Sequence, residues 1–472
     1  MTEISKIIKN TGILFTGNIL LKALTFFLTI IISRNLGVAS FGEFSFIVSF
    51  TALFSVVSDL GIKVMSKREL SVEKQDNTNL VFNSILAKAF LSVSMIVAIV
   101  IFSFVLGFKG ELNLLLLMSL CVILMSFSDY FNFVFQAFDN MSYGIIAQAE
   151  RVILRLVLTF LFLSIGLGLW GILVAYLIAC LVELATLIIL YHIRVKRLTL
   201  NFDLRSTKRI IIASLPLGGT LFFTMLYFKI DMTMLFYFRG EIESGIYGAA
   251  YNLLDMLQFI PLSLTAALAP CATRYFVCSR RKLARLYHDA SKYMILISVP
   301  TAFGFLALGD KIISLLYGNE FTSATPVARL LIFAAIPLFL NYVSTSILVA
   351  SHHEKFNLYS MIVAFVINIV GNLILIPLYG IYGATFSTLL CEILLLIGNT
   401  WYITSKLFKI NLASYFWIPI LLSFATSIVL RLLSWLNTFL LILIGVVTYS
   451  LLLYIFGVVK EKDLTIFRSI IK

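Results

Sequence analysis

The chain has 472 residues, of which 61% are hydrophobic and only 12% are charged, and its formal net charge is +13. Its mean hydropathy is +1.03, whereas about 25% of the residues of a typical soluble domain are charged. This composition excludes a soluble globular domain and favours an integral membrane protein.

Fourteen apolar stretches, taken in chain order, are each long enough to cross a bilayer, which requires about 20 apolar residues. Their hydrophobicity is continuous rather than alternating, so it predicts helices and not a barrel. The predicted spans are 11–33, 41–61, 80–106, 114–138, 145–166, 169–192, 210–237, 245–271, 290–308, 326–350, 357–377, 381–405, 413–432 and 437–459. The expected fold class is all-α integral membrane, with about 14 transmembrane helices.

The positive charge is distributed unevenly between the two sides of these spans. With the N-terminus in the cytoplasm, 26 Lys and Arg residues fall in inner segments and 4 in outer loops. Such a bias predicts orientation, so both termini are expected to be cytoplasmic. The basic residues on the inner side are expected to contact anionic lipid headgroups. The positive net charge is therefore no reason to expect nucleic acid as a partner.

A short pattern occurs twice. The motif Gly-x4-Gly-x-aromatic stands at 37–44 and again at 240–247, before spans 2 and 8. Spans 1–6 and 7–12 are therefore interpreted as parallel repeats around a central cavity, an arrangement that secondary transporters use to bind substrate between two halves. The predicted domains are a six-helix lobe at 1–193, a second six-helix lobe at 210–405, and two further helices with a cytoplasmic tail at 406–472.

Several charged residues lie deep within the predicted spans. Each would cost about 3 kcal/mol if it faced lipid, so they are expected to face the protein interior or a water-filled cavity. They are Lys22, Lys88, Asp129, Arg155, Glu183, Lys229, Asp231, Asp255 and Glu392.

Helical spacing places some of these charges on polar faces. Asn18 and Lys22 share one face of span 1, and Tyr227 and Asp231 share one face of span 7. A cationic pocket favours an anionic substrate such as a phosphate. The substrate-binding candidates are Lys22, Lys88, Arg155, Lys229, Asn18 and Tyr227. The candidates for coupling transport to H⁺ or Na⁺ are Asp231, Asp255, Glu183, Glu392 and Asp129.

Other chemistries have little support in the sequence. There is no G-x4-G-K-[ST] phosphate loop and no D-x-D pair, and His352 and His353 are adjacent, which is poor spacing for metal ligands. We therefore expect no cofactor, no metal and no catalytic residue. A membrane enzyme acting on lipid-linked sugars and a non-transporting scaffold remain as alternatives from other classes.

An ordered set of short motifs carries a family resemblance. The motifs are Arg34-Asn-Leu36-Gly37 with Phe41-Gly42-Glu43-Phe44, Asp59-Leu60-Gly61 with Arg68-Glu69, Tyr227-Phe228-Lys229-Ile230-Asp231, Gly245-Ile246-Tyr247 with Ala249-Ala250-Tyr251, and Asn368, Asn372, Pro377 and Tyr379-Gly380-Ile381-Tyr382-Gly383-Ala384. Together they resemble the polysaccharide transport (Wzx-type) flippases of the multidrug/oligosaccharidyl-lipid/polysaccharide exporter superfamily.

The resemblance implies a V-shaped bundle of two six-helix lobes in the cytoplasmic membrane. It implies ion-coupled export of polyprenyl-diphosphate-linked oligosaccharide by alternating access, with membrane lipids and polysaccharide polymerase machinery as partners. It also implies that cations of the first and seventh helices line the lumen, where this chain has Lys22 and Lys229 in place of the arginine often found. A lipid II-type flippase and a multidrug or cation antiporter of the same superfamily are the alternatives.

Overall fold

The computed structural model describes residues 3–72, 78–108, 110–138, 140–195 and 203–458, and these contain helices and no strand. The predicted C-terminal tail, 460–472, and part of the basic segment 193–209 lie outside the described residues. The α-helices are α1 (Glu3–Ser55), α2 (Ile62–Val72), α3 (Thr78–Leu106), α4 (Leu112–Ala137), α5 (Met141–Ser164), α6 (Gly168–Arg194), α7 (Leu204–Leu257), α8 (Phe259–Cys278), α9 (Arg280–Tyr317), α10 (Ala324–Phe333), α11 (Ala335–Ala350), α12 (Glu354–Tyr379), α13 (Ile381–Lys406), α14 (Ala413–Leu432) and α15 (Thr438–Ile455).

Every predicted span has a helical counterpart. Within the described residues, 11 helical stretches are long and apolar enough to cross a membrane. Two of them, Gly17–Ser58 and Leu221–Cys278, each cover most of two predicted spans. The remaining span corresponds to α5, whose apolar sequence is interrupted by Glu150, Arg151 and Arg155. The prediction of an all-α membrane protein with about 14 transmembrane helices is confirmed.

Helices α1 and α7 each join two predicted spans without a loop. The helical conformation is broken at Gly37, where φ is 73°, and at Gly240, where φ is 78°. A side chain is strained at such positive φ values, so glycine is needed at both breaks. The predicted spans left outer loops at 34–40 and 238–244. Both intervals are instead helical, except at Gly37 in the first and Gly240 in the second.

Contacts divide the chain into two compact units. Unit 1 comprises Met1–Gly248 and Met361–Ile381, and unit 2 comprises Ala249–Ser360 and Tyr382–Lys472. Unit 1 therefore holds the six predicted spans of the first lobe together with most of α7 and much of α12. The predicted domain boundaries at 1–193, 210–405 and 406–472 stay a prediction.

Each unit has its own apolar core. In unit 1 a cluster links α2 to α7 through residues such as Leu91, Tyr130, Leu187 and Ile210. In unit 2 the C-terminal helices α14 and α15 pack on α9. One cluster contains Leu296, Leu422, Tyr449 and Leu453, and another contains Leu308, Leu430 and Leu441.

Large apolar side chains also cover the outside of the helices. Phe90 and Val105 on α3 are 69% and 75% exposed, and Trp435 beyond α14 is 77% exposed. Such a surface is unfavourable in water and is expected where lipid is the solvent. The exposed apolar surface thus agrees with a chain whose helices face lipid.

Candidate functional site

Two of the predicted cavity cations keep accessible side chains. Lys22 lies with Asn18 on the exposed part of α1, and Lys229 is half-buried on α7, two residues after the buried Tyr227. All four residues belong to unit 1. Their role in binding an anionic substrate stays a prediction.

Lys88 occupies a different environment. Its side chain is fully buried, and its Nζ lies 2.5 Å from Asp59 Oδ1 and 2.7 Å from Ser126 Oγ. Ser126 also accepts a hydrogen bond of 2.9 Å from Ser58, in the short 3-10 turn that follows α1. The charge of Lys88 is therefore compensated inside unit 1, and a substrate could reach it only if this ion pair opened.

A second ion pair lies at the end of the same lobe that is predicted to face the cytoplasm. Lys63 Nζ, on α2, is 3.3 Å from Asp129 Oδ2, and the two side chains are 24% and 44% exposed. Burial opposes the charge of Lys63, but the carboxylates of Asp129 and Asp59 outweigh burial and raise the pKa of Lys63. Lys63 thus stays protonated beside Asp129, a predicted coupling residue.

A third ion pair joins α5 to α6. Arg151 Nη1 lies 3.4 Å from Glu183 Oε2, and the Glu183 side chain is almost completely buried. Glu183 is thereby held next to a permanent cation, since an arginine does not lose its proton in proteins. Its role in coupling stays a prediction.

Arg155, one turn after Arg151, is buried among sulfur atoms and an aromatic ring. Its Nη2 lies 2.9 Å from Cys180 Sγ and 3.2 Å from Met125 Sδ. Its guanidinium carbon lies 4.2 Å from the centre of the Tyr176 ring. No described carboxylate lies within ion-pair distance of Arg155, which distinguishes it from Lys63, Lys88 and Arg151.

Asp231 lies in a polar cluster between α7 and α12. Its Oδ1 accepts a hydrogen bond of 2.7 Å from Asn372, whose amide also donates to Asn368 Oδ1 at 3.1 Å. Tyr247 donates to the other carboxylate oxygen at 3.4 Å. Asn368 and Asn372 are absent from the predicted site residues, although two amides four residues apart in an apolar helix were a signal that could have found them.

Unit 2 contains the two remaining predicted carboxylates. Asp255 accepts a hydrogen bond of 3.0 Å from Gln258, which in turn accepts one of 3.1 Å from Tyr342. Glu392, on α13, is 2% exposed and accepts a hydrogen bond of 2.8 Å from Asn341 on α11. Asp255 is thus linked to α11 through Gln258, and Glu392 is bonded to α11 directly. The part of both acids in ion coupling stays a prediction.

The two repeated glycine motifs meet each other. A Cβ added to Gly42 would collide with the carbonyl oxygen of Glu241, and one added to Gly245 would collide with the carbonyl oxygen of Val38. The contacts are reciprocal, since each glycine touches the residue that follows the kink in the other helix. The second halves of α1 and α7 therefore pack backbone to backbone, at the end predicted to face outside.

The turn between α12 and α13 is fixed to the kink of α7. Arg239 donates to the carbonyls of Ile376 and Pro377 at 3.1 and 2.6 Å, and Glu243 accepts a hydrogen bond of 3.0 Å from the backbone of Ile381. The cation thus binds the carbonyl end of α12 and the carboxylate binds the amide end of α13, as helix dipoles favour.

Two family models match the sequence. Residues 7–276, more than half of the chain, match the family described as Polysaccharide biosynthesis protein, and residues 216–374 match the family described as MatE.

Curated relatives are distant. The chain is 25% identical to an uncharacterized membrane protein, MJ1068 of Methanocaldococcus jannaschii, over 67% of this chain and 64% of that protein. It is 22% identical to the capsular polysaccharide biosynthesis protein CapF of Staphylococcus aureus, over 83% of this chain and 98% of that protein. It is 20% identical to Agl15 of Haloferax volcanii, named a probable low-salt glycan biosynthesis flippase, over 52% and 53% of the two chains.

Solved structures share the fold. A lipid II flippase, MurJ, in an inward closed conformation superposes with a TM-score of 0.76 at 17% identity, over 98% of this chain and all of that one. An inward-facing multidrug resistance transporter of the MATE family superposes with a TM-score of 0.67 at 17% identity, over 81% of this chain and 95% of that one. These similarities establish the two-lobe membrane transporter fold.

Proposed function

Because the chain belongs to the polysaccharide biosynthesis protein family, we propose that it moves a polyprenyl-diphosphate-linked oligosaccharide across the cytoplasmic membrane. Transport proceeds by alternating access, the first six spans rocking against the next six, with both termini in the cytoplasm. The match of residues 7–276 to this family carries the proposal. The transporter fold and the relatives named for capsule and glycan biosynthesis support it.

The diphosphate of the carrier binds near Lys22 and Lys229, whose side chains are the accessible ones among the predicted cations. Asn18 and Tyr227, on the same helices, offer hydrogen bonds to the phosphates or to the first sugar. Lysine presents a point charge, whereas arginine can donate two parallel hydrogen bonds to one phosphate. This site therefore recognises the negative charge of the substrate more than the geometry of its phosphates. The polyprenyl tail stays in lipid.

Replacing Lys22 and Lys229 together with alanine is the direct test of the substrate site. Charge-assisted hydrogen bonds contribute about 1.5–3 kcal/mol each, so the double variant should lose at least about a hundredfold in transport. The measurement is surface polysaccharide at equal protein level in the membrane. The control is Lys22→Arg with Lys229→Arg, which keeps the charge and should keep most activity. Undiminished polymer in the alanine variant would show that these cations do not bind the substrate.

The coupling ion, H⁺ or Na⁺, binds at Asp231. This carboxylate is buried on α7 and accepts hydrogen bonds from Asn372 and Tyr247. The carboxylate oxygens, with the buried Asn372 Oδ1 that has no hydrogen-bond partner among the described residues, are the acceptors that a proton or a hard cation requires. Buried acids in transport proteins are the usual sites of coupling. Asp129, Glu183, Asp255 and Glu392 are the further candidates.

Asp231→Asn should uncouple transport without unfolding unit 1, because the amide preserves the shape of the carboxylate. Coupling free energies of 1–3 kcal/mol correspond to a loss of about 5–150-fold. The measurement is flipping in proteoliposomes under an imposed pH gradient or an imposed Na⁺ gradient, and the gradient that drives the unmodified protein identifies the ion. Asp310→Asn, at the exposed Arg329 pair, is the control and should respond to the gradient normally. A normal response of Asp231→Asn would assign coupling to another acid.

The product, a lipid-linked oligosaccharide on the outer side, is the substrate that polysaccharide polymerase machinery requires, and we propose that machinery as a partner.

The MatE match over residues 216–374 favours a second candidate, a multidrug or cation antiporter. Cellular drug accumulation with and without the protein distinguishes the two. A fall in accumulation with no effect on surface polymer would favour the antiporter.

A further inference from the structure

The buried charges of α2 to α6 do not balance by ion pairs alone. Lys63, Lys88 and Arg151 each lie within 3.4 Å of a carboxylate oxygen. Arg155 is 8% exposed and has no such partner among the described residues. An arginine cannot become neutral by losing a proton, and an uncompensated charge in a low-dielectric interior is strongly unfavourable. Something else must neutralise this guanidinium.

The guanidinium contacts show what that group is. Met125 cannot ionise, and Tyr176 presents its ring face, at 4.2 Å from the guanidinium carbon. Among the described residues, Cys180 is the one neighbour within hydrogen-bond distance that can carry a negative charge, with its Sγ 2.9 Å from Arg155 Nη2. Glu183, a buried acid of α6, is paired with Arg151. Arg155 Nε is buried without a hydrogen-bond partner, so the thiol carries most of the compensation.

A second thiol lies beside the first. Cys121 on α4 packs against the face of α6 that carries Cys180. Its Sγ lies 3.9 Å from the carbonyl oxygen of Leu173, two helical turns before Cys180, and both thiols are completely buried. The guanidinium beside Cys180 favours the thiolate, which is the nucleophilic form of cysteine. We propose that Cys180 is a thiolate that neutralises Arg155, and that Cys180 and Cys121 form a peroxide-sensitive thiol pair.

The oxidation balances with hydrogen peroxide as the oxidant. The Cys180 thiolate attacks one peroxide oxygen, an S–O bond forms, the O–O bond breaks, and the departing hydroxide takes up a proton to leave as water. The Cys121 sulfur then attacks the Cys180 sulfenic acid, an S–S bond forms, the S–O bond breaks, and a second water leaves. The two thiols lose two electrons to the peroxide. Because the oxidant is small and uncharged, it can reach a buried site that bulky thiol reagents cannot.

The first experiment measures the rate of this oxidation in the full-length protein in lipid nanodiscs. Samples are treated with hydrogen peroxide, quenched with an alkylating reagent in denaturant, and analysed by mass spectrometry for the Cys121–Cys180 disulfide. A free thiol is only a few per cent thiolate at neutral pH, and a more readily ionised thiolate is a weaker nucleophile, so full ionisation should accelerate oxidation about tenfold overall. We expect the disulfide to form about tenfold faster than Cys391, a buried thiol of unit 2, is oxidised, and the control Cys391→Ser to leave the disulfide rate unchanged.

Removing the cation tests the reason for the reactivity. In Arg155→Gln the thiol has no charge to neutralise, and disulfide formation should slow about tenfold, towards the rate of an ordinary thiol. Equal rates in Arg155→Gln and in the unmodified protein would overturn the proposal, as would oxidation of Cys391 before the pair.

A measurement of stability decides the question if Arg155→Gln does not fold. Cys180→Ser removes the negative charge and should lower the melting temperature by several degrees. Cys180→Asp restores a negative charge and should recover it. If Cys180→Ser has the same melting temperature as the unmodified protein, the thiol is not the counter-ion of Arg155. The same conclusion follows if the melting temperature of Cys180→Asp is lower than that of Cys180→Ser.

Discussion

Replacing Gly42 and Gly245 with alanine is expected to abolish transport while the protein still reaches the membrane. Each added Cβ would overlap a backbone carbonyl oxygen of the opposite helix, Glu241 in one case and Val38 in the other. Backbone atoms cannot move aside as a flexible side chain can, so α1 and α7 must separate. Small residues that allow such close helix contact are a recurring basis of helix association in membranes.

The size of the effect follows from the conformational equilibrium. Overpacking of a close contact costs about 1–3 kcal/mol, and two such penalties fall on the same contact in the double variant. Every 1.4 kcal/mol changes a two-state ratio by about tenfold, so a state that requires this contact would fall in population by about 30-fold to 20,000-fold. A transporter that cannot populate one of its two states cannot complete its cycle.

The measurement is surface polysaccharide in cells with equal amounts of membrane-inserted protein. Gly304→Ala and Gly398→Ala are matched controls, because a Cβ at either position would meet no atom within 4 Å. Both lie inside helices, where alanine is more favourable than glycine by about 1 kcal/mol, so both should retain activity. Transport at the unmodified level in the double variant would mean that the close contact is dispensable for the cycle.

The fourteen spans could be predicted because hydrophobicity and length are local properties of the sequence. A bilayer permits few alternatives to a helix, so this local signal suffices. The repeated motifs also indicated that positions near Gly37 and Gly240 are equivalent. The sequence does not show that the two motifs contact each other, because that contact joins residues about two hundred positions apart.

The partners of the buried charges could not be predicted for the same reason. Helical spacing indicates which face of a helix is polar, but it does not identify what lies opposite. Asp231 is hydrogen-bonded to Asn372, which is 141 residues away. Lys88 on α3 is paired with Asp59, which lies in the turn before α2. Arg155 illustrates this limit most clearly. The sequence suggested that a cation in a membrane span binds an anionic ligand, whereas the structure shows that its hydrogen-bond partners are sulfur atoms.

Lys88→Met is expected to destabilise the protein by about 3–5 kcal/mol, since breaking a buried ion pair leaves the other charge uncompensated. The Lys88 side chain is 0% exposed and that of Asp59 10%, so water cannot readily replace the lost ammonium. Methionine fills much of the same volume, so the penalty should come from the charge rather than from a cavity. The measurement is the free energy of unfolding of the purified protein in detergent.

Lys63→Met provides the control within the same lobe. The Lys63–Asp129 pair is longer, at 3.3 Å, and partly exposed, and exposed pairs contribute about 0–1 kcal/mol. If Lys88→Met were as mild as Lys63→Met, the buried pair would not be the stabilising contact that its geometry indicates. Adding Asp59→Asn to Lys88→Met removes the uncompensated carboxylate and should recover most of the lost stability.

That double variant also separates the two roles that Lys88 can have. If Lys88 is only the counter-ion of Asp59, the stable Asp59→Asn, Lys88→Met protein should transport nearly as well as the unmodified one. If the ion pair opens during the cycle and Lys88 then binds the diphosphate, the same protein should fold but lose about tenfold or more in transport, the value of one charge-assisted hydrogen bond. Because stability is restored in either case, the transport rate alone distinguishes a structural lysine from a substrate-binding one.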